Sequence, residues 1–299
     1  MQQSSGPKKL LLIDANSLIH RFFHALPPLT TPKGDPIGAI YGLAQVCLKI
    51  LRELKPTHIA AAFDRPEPTF RDEMFKAYKA QRPPTSNDLI PQLQRSHDLF
   101  DKFNIKTFEL PGFEADDIIA TLAEKFRGEP DVTVSIFSGD RDSLQLVQDD
   151  KVVVEFLIKG ITETVRFNEA AVKEKFGLAP SQLNDYKAFI GDASDNIPGV
   201  KGVGPKTALP LILEFKTAEE VFENLAIIPE KVSKKLEGQK DIALLSKKLS
   251  ILDRHAPIYF DSVDDLIWAP INFAELKTYF AELGFNSLVQ RVEGLAAGH

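Results

Sequence analysis

Nine carboxylates stand where their spacing would let them act together. The stretch Gly112-Phe113-Glu114-Ala115-Asp116-Asp117 puts three of them into four residues, just before the apolar helical run Ile118 to Phe126. If the helix starts near Glu114, then Glu114 and Asp117 lie three apart and share a face, and acids suit the positive end of a helix. Taken alone, this is an ordinary acidic helix start. Recurrence changes the reading. Leu10 to Ile13 ends at Asp14, Ile59 to Phe63 at Asp64, and Val132 to Ser138 at Gly139-Asp140. Asp142 follows Asp140, and Asp192 and Asp195 lie further on at helical spacing. In an open α/β sheet, ligands bind beyond the carboxyl ends of the strands. Two unit charges about 4 Å apart repel by roughly 4 kcal/mol at an effective dielectric near 20. Several such pairs exceed the stability margin of a domain, roughly 5–15 kcal/mol. The cluster must take up protons or bind cations, and oxygen donors without interleaved His or Cys predict Mg²⁺ or Mn²⁺ rather than zinc.

The chain around the acids predicts how they are held. Lys9 to Asp14 reads as a buried strand, followed by a helix from near Asn16 that carries Arg21 and stops at Pro27-Pro28. Thr30 to Pro36 reads as a loop, and Gly38 to Leu54 as a helix with Cys47 on its apolar face. Ile59 to Phe63 is a second strand, Leu89 to Phe103 a helix begun by Ser86-x-Asp88, and Lys106 to Leu110 a short strand. Val132 to Phe137 reads as a buried strand, and Val152 to Phe156 with Ile161 to Phe167 as a hairpin about Lys159-Gly160. This alternation predicts an α/β fold with parallel βαβ units. After Phe176-Gly177 the pattern turns helical, so a boundary falls near Leu178: a sheet domain over 1–178 and a helical region over 179–299.

Composition bounds the partners. The chain has 299 residues, 43% hydrophobic and 26% charged, enough for a sizeable core. No apolar run approaches the roughly 18 residues that span a bilayer, and Met1 to Lys9 does not read as a signal peptide. The single Cys47 rules out an internal disulfide or a Cys-based zinc site and fits a reducing compartment. Net charge is −6, but with the nine acids set aside the remainder is +3.

Two stretches suit nucleic acid. In Phe70 to Pro84, Phe70, Phe75 and Tyr78 alternate with Arg71, Lys76, Lys79 and Arg82. Aromatic faces stack on bases and Lys or Arg pair with phosphate, although an amphipathic helix with a solvated basic face gives the same pattern. The second stretch is Gly199-Val200-Lys201-Gly202-Val203-Gly204-Pro205-Lys206-Thr207. Its glycines allow tight turns and close approach, Pro205 suits a first helical position, and the helix N-terminus with Lys201 and Lys206 makes an anion site. The spacing differs from a dinucleotide fingerprint. It reads as a helix–hairpin–helix type element that grips a backbone without reading sequence. Lys231, Lys234, Lys235, Lys240, Lys247 and Lys248 add a basic face that is solvated by default or touches duplex.

With these residues set out, the chain resembles the 5′-nuclease (flap endonuclease) family over nearly its whole length. The most specific motifs are Gly112–Asp117, Gly139-Asp140-Arg141-Asp142, Gly191-Asp192-x-Ser194-Asp195-Asn196-Ile197-Pro198-Gly199, and the Gly199–Gly204 hairpin. The resemblance implies a PIN-like core on a mainly parallel sheet, a helical arch at about 70–96, and a helix–three-turn–helix DNA clamp. It implies that Asp14, Asp64, Glu114, Asp116, Asp117, Asp140, Asp142, Asp192 and Asp195 hold two Mg²⁺, with Mn²⁺ able to substitute. By the same resemblance, Lys79 and Arg82 are catalytic arch residues near the scissile phosphate, and Arg21 is a basic residue after Asp14. Gly199, Val200, Lys201, Gly202, Val203, Gly204, Lys206 and Thr207 bind DNA, with a K⁺ ion at the hairpin; Tyr78 and Arg71 are further candidate DNA contacts. The implied activity is a structure-specific 5′→3′ exonuclease or flap endonuclease of replication and repair. It would act on DNA with a 5′ flap, nick or 5′ end and on RNA–DNA hybrids. The implied setting is bacterial, cytoplasmic and at the nucleoid, with no membrane partner, as a monomer or as the N-terminal part of a polymerase. Ala15, Arg65-Pro66 and Pro210 depart from the family pattern, and Pro210 predicts a break in the helix after the hairpin.

Two other classes compete. A phosphotransferase or phosphatase would use Asp14 as nucleophile, although Asn16 stands where such sites commonly have a second Asp. A branched-DNA-binding scaffold would bind without cutting.

Overall fold

A computed structural model describes residues 6–160, 163–260 and 262–297. Six strands form one sheet: β1 (Lys8–Asp14), β2 (His58–Phe63), β3 (Lys106–Glu109), β4 (Val132–Ser138), β5 (Val152–Lys159) and β6 (Glu163–Phe167), in the order β3-β2-β1-β4-β5-β6. The first five run parallel, and β6 pairs antiparallel with β5 at the edge. The expected hairpin is therefore present, with Ile161 and Thr162 outside the described residues.

Both faces of the sheet are covered, which is why β1 and β2 are apolar without alternating polar positions. Leu11 and Ile13 face the core under α1 (Ala15–Ala25), α2 (Gly38–Lys49) and, beyond the short α3 (Phe70–Met74), α4 (Ile90–Lys102). Leu10 and Leu12 face the opposite core under α5 (Ala115–Arg127) and α6 (Glu169–Phe176). A π-helical turn, Ile50–Leu54, closes α2.

Five helices carry a third core: α7 (Leu183–Ile190), α8 (Pro205–Phe215), α9 (Ala218–Glu223), α10 (Glu230–Leu236) and α11 (Lys240–Ser250). Leu178 is the first buried residue of this core. The core does not extend to the end of the chain. Leu252, Val263 and Leu266 return to the core under α5. The last helices, α12 (Phe273–Glu282) and α13 (Asn286–Ala297), bury Phe280 and Leu288 in the core under α2. Trp268 seals this return, its Nε1 donating to Phe103 O at 2.7 Å. The helical region of 179–299 is thus two pieces, and only the first stands apart from the sheet. Among the described residues no helix is long and apolar enough to cross a membrane.

Two further expectations are corrected. The arch is not a helix over about 70–96. α3 covers five residues, 75–89 are turns and extended chain, and 90–96 belong to α4, packed on the sheet. Tyr78 is buried with Ile197 and Leu249, so the segment folds down onto the helical region instead of standing up as a helix. Pro210 does not interrupt its helix, because α8 runs through it.

Candidate metal centre

The strand order reverses between β1 and β4, and the carboxyl ends there open the crevice in which α/β sheets bind ligands. Asp14 ends β1 and caps α1, its Oδ1 accepting Ser17 N–H at 3.0 Å. Its Oδ2 accepts the Ser138 hydroxyl at 2.6 Å, and the Ser138 Oγ accepts Asp140 N–H at 2.9 Å. Ser138, which the sequence reading passed over, therefore ties the acids of two strands together. Asp64 follows β2 and its Oδ1 accepts Ala115 N–H at 2.7 Å, fixing the start of α5 against the crevice. Asp140 caps the 3₁₀ turn Arg141–Leu146, which carries Asp142. Asp192 and Asp195 arrive from the loop after α7.

Asp14, Asp64, Glu114, Asp116 and Asp140 line one cavity of about 500 Å³ with Lys79 and Arg82. Burial pushes the Asp14 carboxyl up to about 7, aided by the nearby Asp140 and Asp64 charges and opposed by its hydrogen bonds. Asp116 is raised well above the carboxylate range by burial and then by the charges of Asp14, Asp140, Asp142 and Asp64. Its Oδ1 is buried without a hydrogen-bond partner. An orphaned, charge-crowded carboxylate among hard oxygen donors fits a divalent cation of the Mg²⁺ or Mn²⁺ type.

The nine acids do not all converge. Among the described residues, no three acidic, His or Cys side chains stand close enough to hold an ion as they are. Amines lie between them. Lys79 Nζ donates to Glu114 Oε1 at 2.6 Å, and Arg82 Nη2 to Asp195 Oδ1 at 2.6 Å. Lys187, a second residue the sequence reading missed, bonds Asp142 and reaches Asp192 Oδ2 at 2.7 Å. Burial pushes Asp142 up to about 6 against the pull of Lys187. Burial also raises Asp192, but Lys187 and Ser194 outweigh it and hold that carboxyl below its ordinary value.

Asp117 is corrected from ligand to anchor. It is fully buried, and both its oxygens are taken: Arg71 donates to each at 2.7 Å, Glu114 N–H to Oδ2 at 3.1 Å, and Asp253 N–H to Oδ1 at 2.8 Å. Reaching back to Glu114 N–H turns it away from the crevice, as in a capping box. Arg71 is corrected with it. Only 1% exposed, it also donates to Leu249 O and Ile251 O, so it offers nothing to DNA. Tyr78 is no stacking platform either: its ring is buried, and its hydroxyl donates to Glu114 Oε2 and Asp195 Oδ2, both at 3.2 Å.

Arg21 stands beside the crevice near Gly139, with Nη2 donating to Ile158 O at 2.7 Å. His20 and His24 also line the cavity. Burial lowers the pKa of the His20 imidazole, against the raising pull of the Asp64 charge. Asp14 makes a poor nucleophile, since it is 3% exposed and both oxygens are engaged.

The hairpin splits by face. Val200 and Val203 are buried in the third core, which corrects their place among DNA contacts at the side-chain level. Lys201, Gly202 and Lys206 are exposed, while Gly204 and Thr207 are half-buried at the start of α8. Gly199 has φ +64°, and a Cβ there would lie 2.4 Å from Gly191 N, so only glycine fits. Its N–H donates to the buried Ser246 Oγ at 3.0 Å. Lys235 and Lys247, read as a basic face, are spent within the region: Lys235 on Gly202 O, Lys247 on Asp185 and Glu219.

The crevice of strand-end carboxylates lies beside the basic segment that carries Lys79 and Arg82, and a glycine hairpin opens α8 in the helical region. Residues 9–177 match the 5′-3′ exonuclease N-terminal resolvase-like domain and 178–274 the 5′-3′ exonuclease C-terminal SAM fold, and the chain belongs to this 5′-3′ exonuclease family. It is 43% identical over 286 residues to DNA polymerase I of Bacillus subtilis (strain 168), covering 95% of this chain and 32% of that one. The chain spans about a third of the length of the curated relatives it matches. A structure of T5 5′-exonuclease with zinc bound is 25% identical, with a TM-score of 0.66 over 82% of this chain and 90% of that one. A structure of bacteriophage T5 D15 flap endonuclease with DNA and metal ions shares the fold at 19% identity, with a TM-score of 0.68 over 97% of this chain and all of that one.

Proposed function

We propose that this chain hydrolyses DNA phosphodiesters at 5′ ends, nicks and flap junctions with two divalent ions, and acts on RNA–DNA hybrids in primer and flap removal. One observation carries the reading: five carboxylates at the reversal of the sheet share a cavity with Lys79 and Arg82. Asp14, Asp64, Glu114, Asp116 and Asp140 would hold one side of the ion pair, and Asp142, Asp192 and Asp195 the other, directly or through water. Bound there, divalent ions would supply Lewis acidity, lowering the pKa of water and stabilising the attacking and leaving oxygens.

The protein's own groups do the rest. Lys79 and Arg82, held over the crevice by Glu114 and Asp195, are positioned to exchange those carboxylates for the phosphate as its charge grows. Arg21, with donors left beyond Ile158 O, would hold a neighbouring phosphate. Lys201, Lys206 and the N-terminus of α8 would hold duplex backbone at a fixed distance, so that geometry rather than base sequence selects the bond. A hairpin K⁺ belongs to the same reading, and Lys235, which donates to Gly202 O, would compete with it for that carbonyl. The matched relatives are DNA polymerases, which supports placing this chain as the N-terminal part of a longer polymerase, working in the cytoplasm at the nucleoid.

The test is the double variant Asp140→Asn, Asp142→Asn. It should lose cutting of a 5′ flap and keep flap binding by gel shift. Cutting at the parental rate would overturn the site assignment.

A further inference from the structure

We infer that Lys187 is a built-in counter-ion at the Asp142–Asp192 end of the centre, and that it must withdraw before a divalent ion can occupy that end. The inference rests on the two-metal reading and deepens it by naming what controls loading. Lys187 sits on α7, five residues before Asp192. Its amine bonds Asp142 Oδ1 and lies 2.7 Å from Asp192 Oδ2, with 19% of the side chain exposed. Those two acids come from different parts of the fold, one from the turn after β4 and one from the loop after α7. The ammonium is what now joins them.

An ion shared by the same oxygens would lie about 2.0–2.1 Å from each if it were Mg²⁺. That places it about as close to the ammonium as the carboxylates are, in a partly buried site where a double and a single positive charge repel strongly. The amine takes Asp142 Oδ1 and Asp192 Oδ2, the positions an ion bridging the two acids through those oxygens would need, so ion and amine compete for them. The lysine has somewhere to go: beside it lies a cavity of about 310 Å³ lined by Leu144, Phe176, Leu183 and Tyr186. Its aliphatic stem can lie along that wall with the amine at the rim. A flexible point charge suits such an exchange better than a rigid guanidinium.

A coupling follows. A DNA phosphate that draws Lys187 off the acids raises the ion's affinity, and by reciprocity the ion raises affinity for DNA. In the free protein the amine keeps this end weakly loaded.

The measurement is calorimetric titration of Mn²⁺ into the whole chain without DNA, for the parent, Lys187→Met and Lys187→Arg, together with thermal melting in EDTA. Lys187→Met keeps the stem and removes the charge. The weaker of two Mn²⁺ affinities should rise about tenfold, within the usual range of coupling between sites. Its melting point in EDTA should fall, because Asp142 and Asp192 then face each other without a cation. Lys187→Arg, which keeps the charge, should leave the weaker affinity near the parental value. A weaker affinity that stays put or drops in Lys187→Met, with two ions still bound, overturns the counter-ion role and leaves the nuclease reading intact. An equal rise in Lys187→Arg also overturns it, since charge would then not be the cause. If neither the parent nor the variants bind Mn²⁺ at all, the two-metal reading falls as well.

Discussion

Asp116 and Asp117 are neighbours with opposite fates. One carries an unsatisfied oxygen into a crowd of like charges; the other is saturated by Arg71 and two backbone N–H groups. Asp116→Asn should therefore melt higher than the parent in EDTA and gain less from Mg²⁺, whereas Asp117→Asn should melt lower in both. The reverse order would contradict the assignment. Asp14 and Asp142 add a pH dependence whose sign is fixed. Burial raises them to about 7 and about 6, above the ordinary value of 3.8 that they regain on unfolding. Without metal, their contribution to stability is greatest in acid and is lost as pH rises from about 4 through those values. Ions bind the deprotonated forms, so the Mg²⁺-induced rise in melting temperature should be small at pH 5 and grow through pH 7.5. An equal rise at both would sink this account. The sequence showed which residue types gather, because strand ends are legible from apolar runs. It did not show that Asp117 turns back on its own helix start, since side-chain direction at spacing three depends on who else offers a hydrogen bond.

At the scale of elements, the segment between β2 and α4 matters most. It was legible as basic and aromatic but not as folded down, because the partners of Arg71 and Tyr78 lie far along the chain at Leu249, Ile251 and Asp195. Arg71 joins α3, α5 and the exit of α11 through one buried ion pair. Truncating one partner of such a pair typically costs about 3–5 kcal/mol, and urea unfolding of Arg71→Ala should show a loss of that order. A loss below about 1 kcal/mol, the ordinary range for a surface pair, would mean the guanidinium is not buried as described. The hairpin was legible from glycine, proline and lysine alone, since its turns need those backbones. Changing Lys201 and Lys206 together to Ala should weaken DNA binding alike for all sequences. It should also flatten the dependence of log affinity on log salt by about 1 for each phosphate no longer neutralised. An unchanged slope would remove the hairpin from the interface.

For the whole molecule, the fold class could be read from strand–helix alternation. The return of the chain could not, because α12 and α13 are amphipathic helices that would suit either core. Only the structure shows Phe280 and Leu288 packed with Leu43 and Phe103 in the sheet domain. Ending the chain at residue 251 should therefore unfold the sheet domain, read as loss of its cooperative melt, and leave more than the helical region damaged. An intact melt would restore the simple two-part division. The proposed centre would draw on both regions, Asp14 and Asp140 from one and Asp192 and Asp195 from the other, so it is tested with both regions present. The measurement is cleavage of a 5′-labelled flap beside a nicked duplex and a plain single strand, with Mg²⁺ and with EDTA. The account predicts Mg²⁺-dependent cutting near the flap junction and none in EDTA. Tight flap binding with no cutting in Mg²⁺ would contradict it and leave a DNA-binding scaffold.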